Sequence, residues 1–374
     1  MGAASTFRDE REALRDSVRA FLTKYSSEAQ VRAAMATAAG SDPAVWRRMA
    51  QDLGLQGLAV PAGFGGSGFG ATELQVVLEE MGRALLCSPF FSSAVLATNV
   101  LLASDDTELC QDVLPGLCDG NRVATVAATG DSGSWQADDV WDASAGPAGD
   151  GWTVTGRKNF VPDAMVADLL VVAARCEAGP TLFVVEATQP GVERSTLTTL
   201  DETRKQGTVQ FASVPARIVG RPGRGAEILE RALVRSAVAL AAEQVGGARR
   251  ALELAVDYAK VREQFGRVIG SFQAVKQKCA DMLLAVEAAT SASRAAAEAV
   301  DAGGDDTVAL AHLALGLASE AYVHATTESI EVHGGIGFTW EASAHLYYKR
   351  ALAGAALLGS PASHRSAMLA AMGR

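Results

Sequence analysis

Two short stretches of this sequence carry residue types suited to holding an anionic ligand. The first is Arg262-Glu263-Gln264-Phe265-Gly266, followed by Ser271-Phe272-Gln273. The second is Glu331-Val332-His333-Gly334-Gly335-Ile336-Gly337-Phe338. Arg262 offers a planar fork of donors that matches a diphosphate. Gly334 and Gly335 let the backbone come close to a ligand. Taken singly, each has a plainer reading: an exposed arginine in a turn, and a glycine pair that caps a helix.

The chain that positions these stretches has 374 residues, which suggests two or three domains. Hydrophobic residues make up 49% and charged residues 20%, as in a well-packed soluble protein. A net charge of -10 argues against a nucleic-acid partner. No uninterrupted apolar run reaches the roughly 18 residues of a membrane span. The N-terminus turns charged at once and lacks the apolar stretch of a secretory signal. Cys87, Cys110, Cys118, Cys176 and Cys279 are scattered, with no Cys-x-x-Cys pair, and read as reduced, buried thiols of a cytoplasmic protein. No His and Cys cluster has metal spacing, so no metal is expected.

Three segments follow from periodicity. Residues 1–119 read as an N-terminal helical domain, with Phe7, Leu14, Val18, Phe21 and Leu22 at helical spacing. Leu58-Ala59-Val60-Pro61 then runs into a loop with five glycines from Gly63 to Gly70. Residues 120–222 read as a central antiparallel β-domain, a barrel or a sandwich, with short β-branched runs between Asp, Gly and Pro turns. Residues 223–374 return to helix and read as a C-terminal four-helix bundle. The fold class is therefore α+β, mainly α. The long helices are apolar over more than one face, which points to subunit contact.

The order and spacing of the Arg-x-x-Phe-Gly and Gly-Gly-x-Gly-Phe turns resemble the acyl-CoA dehydrogenase family, over essentially the whole chain. The resemblance implies FAD as cofactor and an acyl-CoA or other acyl thioester as substrate. It places Arg262, Gln264, Phe265, Gln273, Glu331, Gly334, Gly335 and Gly337 near the adenosine and diphosphate of an FAD held mainly by a neighbouring chain. It implies a reaction in which a glutamate takes the α-proton while a hydride leaves the β-carbon for the flavin.

This sequence departs from the family at the reacting centre. The usual glutamate precedes a Gly-Thr pair; here Gly359-Ser360 follows Leu358, which cannot take a proton. Some relatives carry the base on the helix before Arg262, and that position is Ser236, a candidate substrate-binding residue. Glu243, seven residues further on, is a candidate substitute base in an apolar setting. Its alternative is a structural glutamate paired with Arg249, Arg250 or a neighbouring subunit. Beside the flavin ring the resemblance leaves Thr129, Phe160, Val161 and Ser360, with Gly130 where relatives have glutamate.

Three functions stay open at this point. One is a subunit of a dehydrogenase whose paralogous partner, in a dimer or tetramer, supplies the glutamate, as in the non-catalytic subunits of hetero-oligomeric bacterial members acting on steroid side chains. A second is a self-sufficient flavoenzyme using Glu243. The third is a non-redox acyl-CoA-binding or scaffold protein.

Overall fold

The computed structural model describes residues 2–136, 139–149 and 151–373, with side chains from Asp9 onward. Phe7, expected on the apolar face of the first helix, lies outside the described side chains. The chain opens with helices α1 (Gly2–Tyr25), α2 (Glu28–Met35), α3 (Pro43–Leu53) and α4 (Ala71–Arg83). A π-helical segment, Phe90–Ala97, leads into α5 (Thr98–Ala103), and α6 (Thr107–Cys118) follows. Strands β1 (Ala124–Ala127), β2 (Ala143–Ala148), β3 (Gly151–Pro162), β4 (Leu169–Cys176), β5 (Gly179–Glu186), β6 (Val192–Thr196) and β7 (Gln206–Val219) make the central sheet. The rest comprises α7 (Gly225–Val261), the short strands β8 (Glu263–Gln264) and β9 (Arg267–Val268), α8 (Gln273–Ala302), α9 (Thr307–His333), α10 (Ala344–Gly354) and α11 (Pro361–Ala371).

The fold divides into two compact units. One holds residues up to Val31, Ala71–Leu86 and residues from Ala237 onward. The other holds Arg32–Gly70 and Cys87–Ser236.

In the first unit, α1 and α4 join the C-terminal helices. Arg15 reaches Glu79 at 2.9 Å and Glu80 at 3.0 Å, and Arg19 reaches Glu80 at 2.7 Å. These pairs let two glutamates of α4 be buried, since a buried carboxylate needs a charged partner. Helix α4 crosses α7 backbone to backbone. A Cβ on Gly82 would fall 1.9 Å from the Glu243 carbonyl oxygen, and one on Gly246 would fall 1.8 Å from that of Glu79. Five helices, not four, complete this end of the chain. The extra one, α11, starts where the Ser360 side chain accepts from the Ser363 N–H and Pro361 takes the first helical position. Helix α9 with its following turn, Thr307–Phe338, is long and apolar enough to cross a membrane by length and composition, and half of its most apolar stretch is buried within the chain. Its Ala and Leu content serves the bundle core.

In the second unit, the sheet runs in the order β1-β4-β2-β3-β7-β5, with β6 on β7. β5 also pairs with β4, so β4, β2, β3, β7 and β5 close into a barrel without free edges. The sheet is mixed rather than wholly antiparallel. β4 runs parallel to β1 at Ala124↔Leu169 and to β2 at Ala143↔Ala174. A hairpin cannot join parallel neighbours; here the β2–β3 pair supplies the crossover from β1 to β4.

Candidate functional site

At one end of the first unit, the last turn of α7 carries Tyr258 and releases the chain at Arg262, whose N–H still donates to the Tyr258 carbonyl at 2.9 Å. The chain then folds into the β8–β9 hairpin. Phe265 (φ 55°) and Gly266 (φ 77°) form its two-residue turn, the left-handed geometry that matches strand twist. Phe265 is 94% exposed. Its ring meets Phe272 edge-on at 6.2 Å, and the Arg267 guanidinium lies 4.1 Å from the Phe272 centroid. Arg262 is exposed and has no acidic partner among the described residues. Gln273 opens α8 and is exposed, and the Gln264 side chain donates to the Glu263 carbonyl.

The second Gly-rich turn closes α9. Gly334 has φ 65°, which only glycine takes at little cost, and a Cβ on Gly334 or Gly335 would meet nothing within 4 Å. Gly337 is buried, and its Cβ would fall 2.9 Å from the Ile330 carbonyl oxygen. Two contacts bring this turn to the hairpin end of α7 and α8. Tyr258 stacks on His333 with centroids 4.4 Å apart, and Lys278 of α8 pairs with Glu331 at 2.6 Å. The Glu331 carboxylate is thus committed to a lysine.

Leu358 follows α10. It is buried with φ 64°, and no carboxylate occupies its post. Ser360 caps α11, so its hydroxyl accepts the Ser363 N–H at 3.1 Å. A Cβ on Gly359 would fall 3.4 Å from His364 Nε2. His364 is buried, and its Nδ1 lies 2.9 Å from Nδ1 of His312. Burial, reinforced by His312, pushes His364 down to about 4.

Glu243 is 7% exposed and accepts from Arg350 Nη1 at 2.9 Å; Arg350 is 5% exposed and also donates to the Leu86 carbonyl at 3.4 Å. The partner is therefore an arginine of α10 rather than Arg249 or Arg250. Arg249 pairs with Glu287 at 3.3 Å and Arg250 with Glu253 at 3.2 Å. A carboxylate joined to a buried guanidinium is built as an ion pair, not as an open proton acceptor.

In the second unit, Thr129 is buried, and its hydroxyl donates to the Asn159 carbonyl, whose own N–H returns to the Thr129 carbonyl at 2.9 Å. Phe160 has φ 54° at an irregularity in the β3–β7 pairing and keeps its ring 39% exposed beside Gly133. Val161 is buried in register with Gly207. Sequence reasoning missed Lys158. This fully buried side chain donates to the carbonyls of Ala128 at 2.9 Å and Val140 at 2.7 Å, and to Asp142. Burial pushes its ammonium below its ordinary value, against the pull of Asp142. All three of its donors are used, so it anchors the strand that presents Phe160. Ser236 is also fully buried; its hydroxyl donates to the Ala232 carbonyl at 2.8 Å and accepts from Asn99 Nδ2 at 3.1 Å.

The comparisons with known proteins agree with this arrangement. Residues 8–121 match the acyl-CoA dehydrogenase N-terminal domain and residues 223–373 match its C-terminal domain. The chain is 34% identical over 353 residues to acyl-CoA dehydrogenase IpdE2 of Mycobacterium tuberculosis, covering 94% of each protein. Among solved structures, it is similar to a Tcur3481-Tcur3483 steroid ACAD variant, with TM-score 0.86, 31% identity and 98% of each chain covered. It is also similar to the ChsE4-ChsE5 complex from Mycobacterium tuberculosis, with TM-score 0.87, 28% identity and 97% of each chain covered. Proteins with these two domains are FAD-dependent flavoproteins. With both domain matches, a relative of this identity across nearly its full length and the two Gly-containing turns at one end of the bundle, the chain belongs to the acyl-CoA dehydrogenase family.

Proposed function

We propose that this chain is one subunit of a hetero-oligomeric acyl-CoA dehydrogenase, and that a paralogous partner supplies the base that takes the α-proton of an acyl thioester. The observation that carries the reading is the pairing of Leu358 at the usual base post with a Glu243 committed to Arg350. The family's chemistry needs an accepting carboxylate near the α-carbon. Leucine offers none, and Glu243 would have to leave its guanidinium first. The same pairing counts against a self-sufficient enzyme built on Glu243.

The residues of the two turns fit the phosphate and adenosine end of FAD by donor chemistry. The Arg262 guanidinium has no competing carboxylate among the described residues, Gln264 and Gln273 are exposed, and open space above Gly335 leaves its backbone approachable. FAD, when bound, accepts the β-hydrogen as hydride. Arg262 would neutralise phosphate charge, Gln264 and Gln273 would donate to phosphate or sugar oxygens, and the exposed Phe265 would cover the ligand from one side. At the ring half the fit is thinner. In the second unit the Thr129 hydroxyl is spent on Asn159, which leaves Phe160 and the Val161 backbone; in the first, the Ser360 hydroxyl is spent on capping α11. A chain that keeps the first set and has lost much of the second suits a subunit that completes a neighbour's flavin site. The solved ChsE4-ChsE5 complex, a pair of differently named chains, supports that assembly. We place the assembly in the cytoplasm, consistent with five free cysteines.

The test is the flavin-to-protein ratio by absorbance. The chain purified alone is compared with the chain co-expressed and co-purified with a candidate acyl-CoA dehydrogenase partner from its genomic neighbourhood. A ratio that rises with the partner supports the reading. Full flavin loading of the chain alone, unchanged by the partner, contradicts it.

A further inference from the structure

Between α1, α4, α7, α10 and the start of α2 lies a cavity of about 340 Å³, with every wall inside the first unit. That volume suits a small ligand. Leu22, Val31, Leu85 and Leu346 line it with alkyl groups and are buried. Tyr347 adds its ring, and its hydroxyl is spent as a donor to the Arg83 carbonyl at 2.7 Å. Burial pushes this phenol up to about 12, so it brings no negative charge.

The charges on the cavity are less evenly matched. Glu80 is balanced: it accepts from Arg19 at 2.7 and 2.9 Å and from Arg15 at 3.0 Å. Glu28 is exposed and is also engaged. Arg83 and Arg250, both half-buried, share one carboxylate oxygen, Oε2 of Glu253, which Arg250 reaches at 3.2 Å. Arg250 also donates to the Tyr347 hydroxyl. A guanidinium has five N–H donors, so most donors of this pair have no acceptor among the described residues. Two cations thus face one carboxylate, and one positive charge stands uncompensated beside an apolar lining. Taking such a charge out of water is costly without a counter-charge. The Ser343 hydroxyl, also on the cavity, makes no cap bond to α10.

We propose that this cavity binds an organic monoanion, a carboxylate on a compact apolar body, with Arg250 and Arg83 on the carboxylate and Leu22 and Leu346 against the alkyl part. Two planar forks of donors match carboxylate oxygens. The single uncompensated charge favours a monoanion over a dianionic phosphate, and the alkyl lining favours an organic body over an inorganic ion. The inference does not rest on the functional reading above.

The test titrates octanoate into the full-length chain by calorimetry, with octan-1-ol and inorganic phosphate in parallel. Octanoate should bind saturably and about tenfold or more tighter than either, the size of a charge-assisted hydrogen bond. Arg250→Gln removes the excess cation and leaves the Arg83–Glu253 pair in place. It should fold as wild type, weaken octanoate by about tenfold or more and leave octan-1-ol unchanged. Hydrogen exchange of the wild type locates the ligand: octanoate should slow exchange in residues 19–31 and 343–347, which line the cavity. No saturable octanoate binding overturns the inference, as does octan-1-ol or phosphate binding as tightly. Unchanged octanoate affinity in Arg250→Gln overturns it too. If that variant does not fold, slowed exchange confined to other segments does the same. Any of these results leaves the functional reading standing, because Arg250 takes no part in it.

Discussion

The Arg350 guanidinium donates to the Glu243 carboxylate at 2.9 Å, with both residues buried in the same unit. This pair ties α10 to α7 just before the chain reaches Leu358. Glu243→Gln takes the carboxylate away from a buried guanidinium and should cost about 3–5 kcal/mol of stability. Adding Arg350→Met should recover part of that loss. Urea melts of wild type and these two variants check this; a Glu243→Gln protein as stable as wild type would mean the pair is not holding the fold.

Arg262→Ala should behave in the opposite way. The side chain is exposed and pairs with nothing acidic among the described residues, so folding should not suffer. Losing a charge-assisted contact of about 1.5–3 kcal/mol should lower flavin content in the assembled protein. Absorbance of the purified complex, with circular dichroism as a folding control, gives the answer. Unchanged flavin loading would remove Arg262 from the site.

Helices α4 and α7 cross through glycine, which gives a third expectation. A Cβ at position 82 would sit 1.9 Å from the Glu243 carbonyl oxygen, which is backbone and cannot swing away. Gly82→Ala should therefore destabilise by at least about 1–3 kcal/mol, although alanine favours helix elsewhere. A thermal melt equal to wild type would contradict the close crossing.

His364 sets a pH dependence. Its folded value, about 4, lies below its ordinary 6.5 because of burial and the adjacent His312. Above pH 6.5 both folded and unfolded chains carry it neutral, and it contributes no pH dependence. Between pH 6.5 and about 4 the unfolded chain takes up a proton that the folded chain refuses, so stability falls as pH falls. Below about 4 this penalty is complete. The neighbouring Arg365–Glu320 ion pair, also between α11 and α9, does not use either imidazole. His364→Leu should flatten melting temperature across this window relative to wild type; an identical slope in both would exclude the histidine pair as the cause.

Much of this molecule was legible in its sequence, because helices and Gly turns are local features. Periodicity marked the long helices, and the Arg262 and Gly334 stretches announced the turns that Tyr258 and His333 bring to one end of the bundle. What was missed is mostly non-local. The parallel pairing of β1 with β4 depends on a crossover that no local pattern records. β2 and β6 are largely exposed and lack the alternation that marks a strand. Lys158 reads as a solvated charge, yet it is buried against three acceptors, the Ala128 carbonyl just after β1 and the Val140 carbonyl and Asp142 carboxylate just before β2. The partner of Glu243 lies 107 residues away in α10, while two arginines within a helical turn or two stay with other glutamates. α11 had a readable signal in Ser360-Pro361, a side-chain cap followed by proline in the first turn.

Acyl-CoA dehydrogenation by the chain alone and with its paralogous partner, followed with an artificial electron acceptor, tests the central claim most directly. Leucine at position 358 removes a positioned base, a loss that typically costs about 10² to 10⁴ in rate. The expected result is little or no turnover by the chain alone and turnover when the partner is present. Activity of the pair should collapse when the partner's glutamate is changed to glutamine and survive Glu243→Gln, assayed at a temperature where that variant stays folded. Brisk turnover by the chain alone, abolished by Glu243→Gln in a folded protein, would contradict the account and make Glu243 the base.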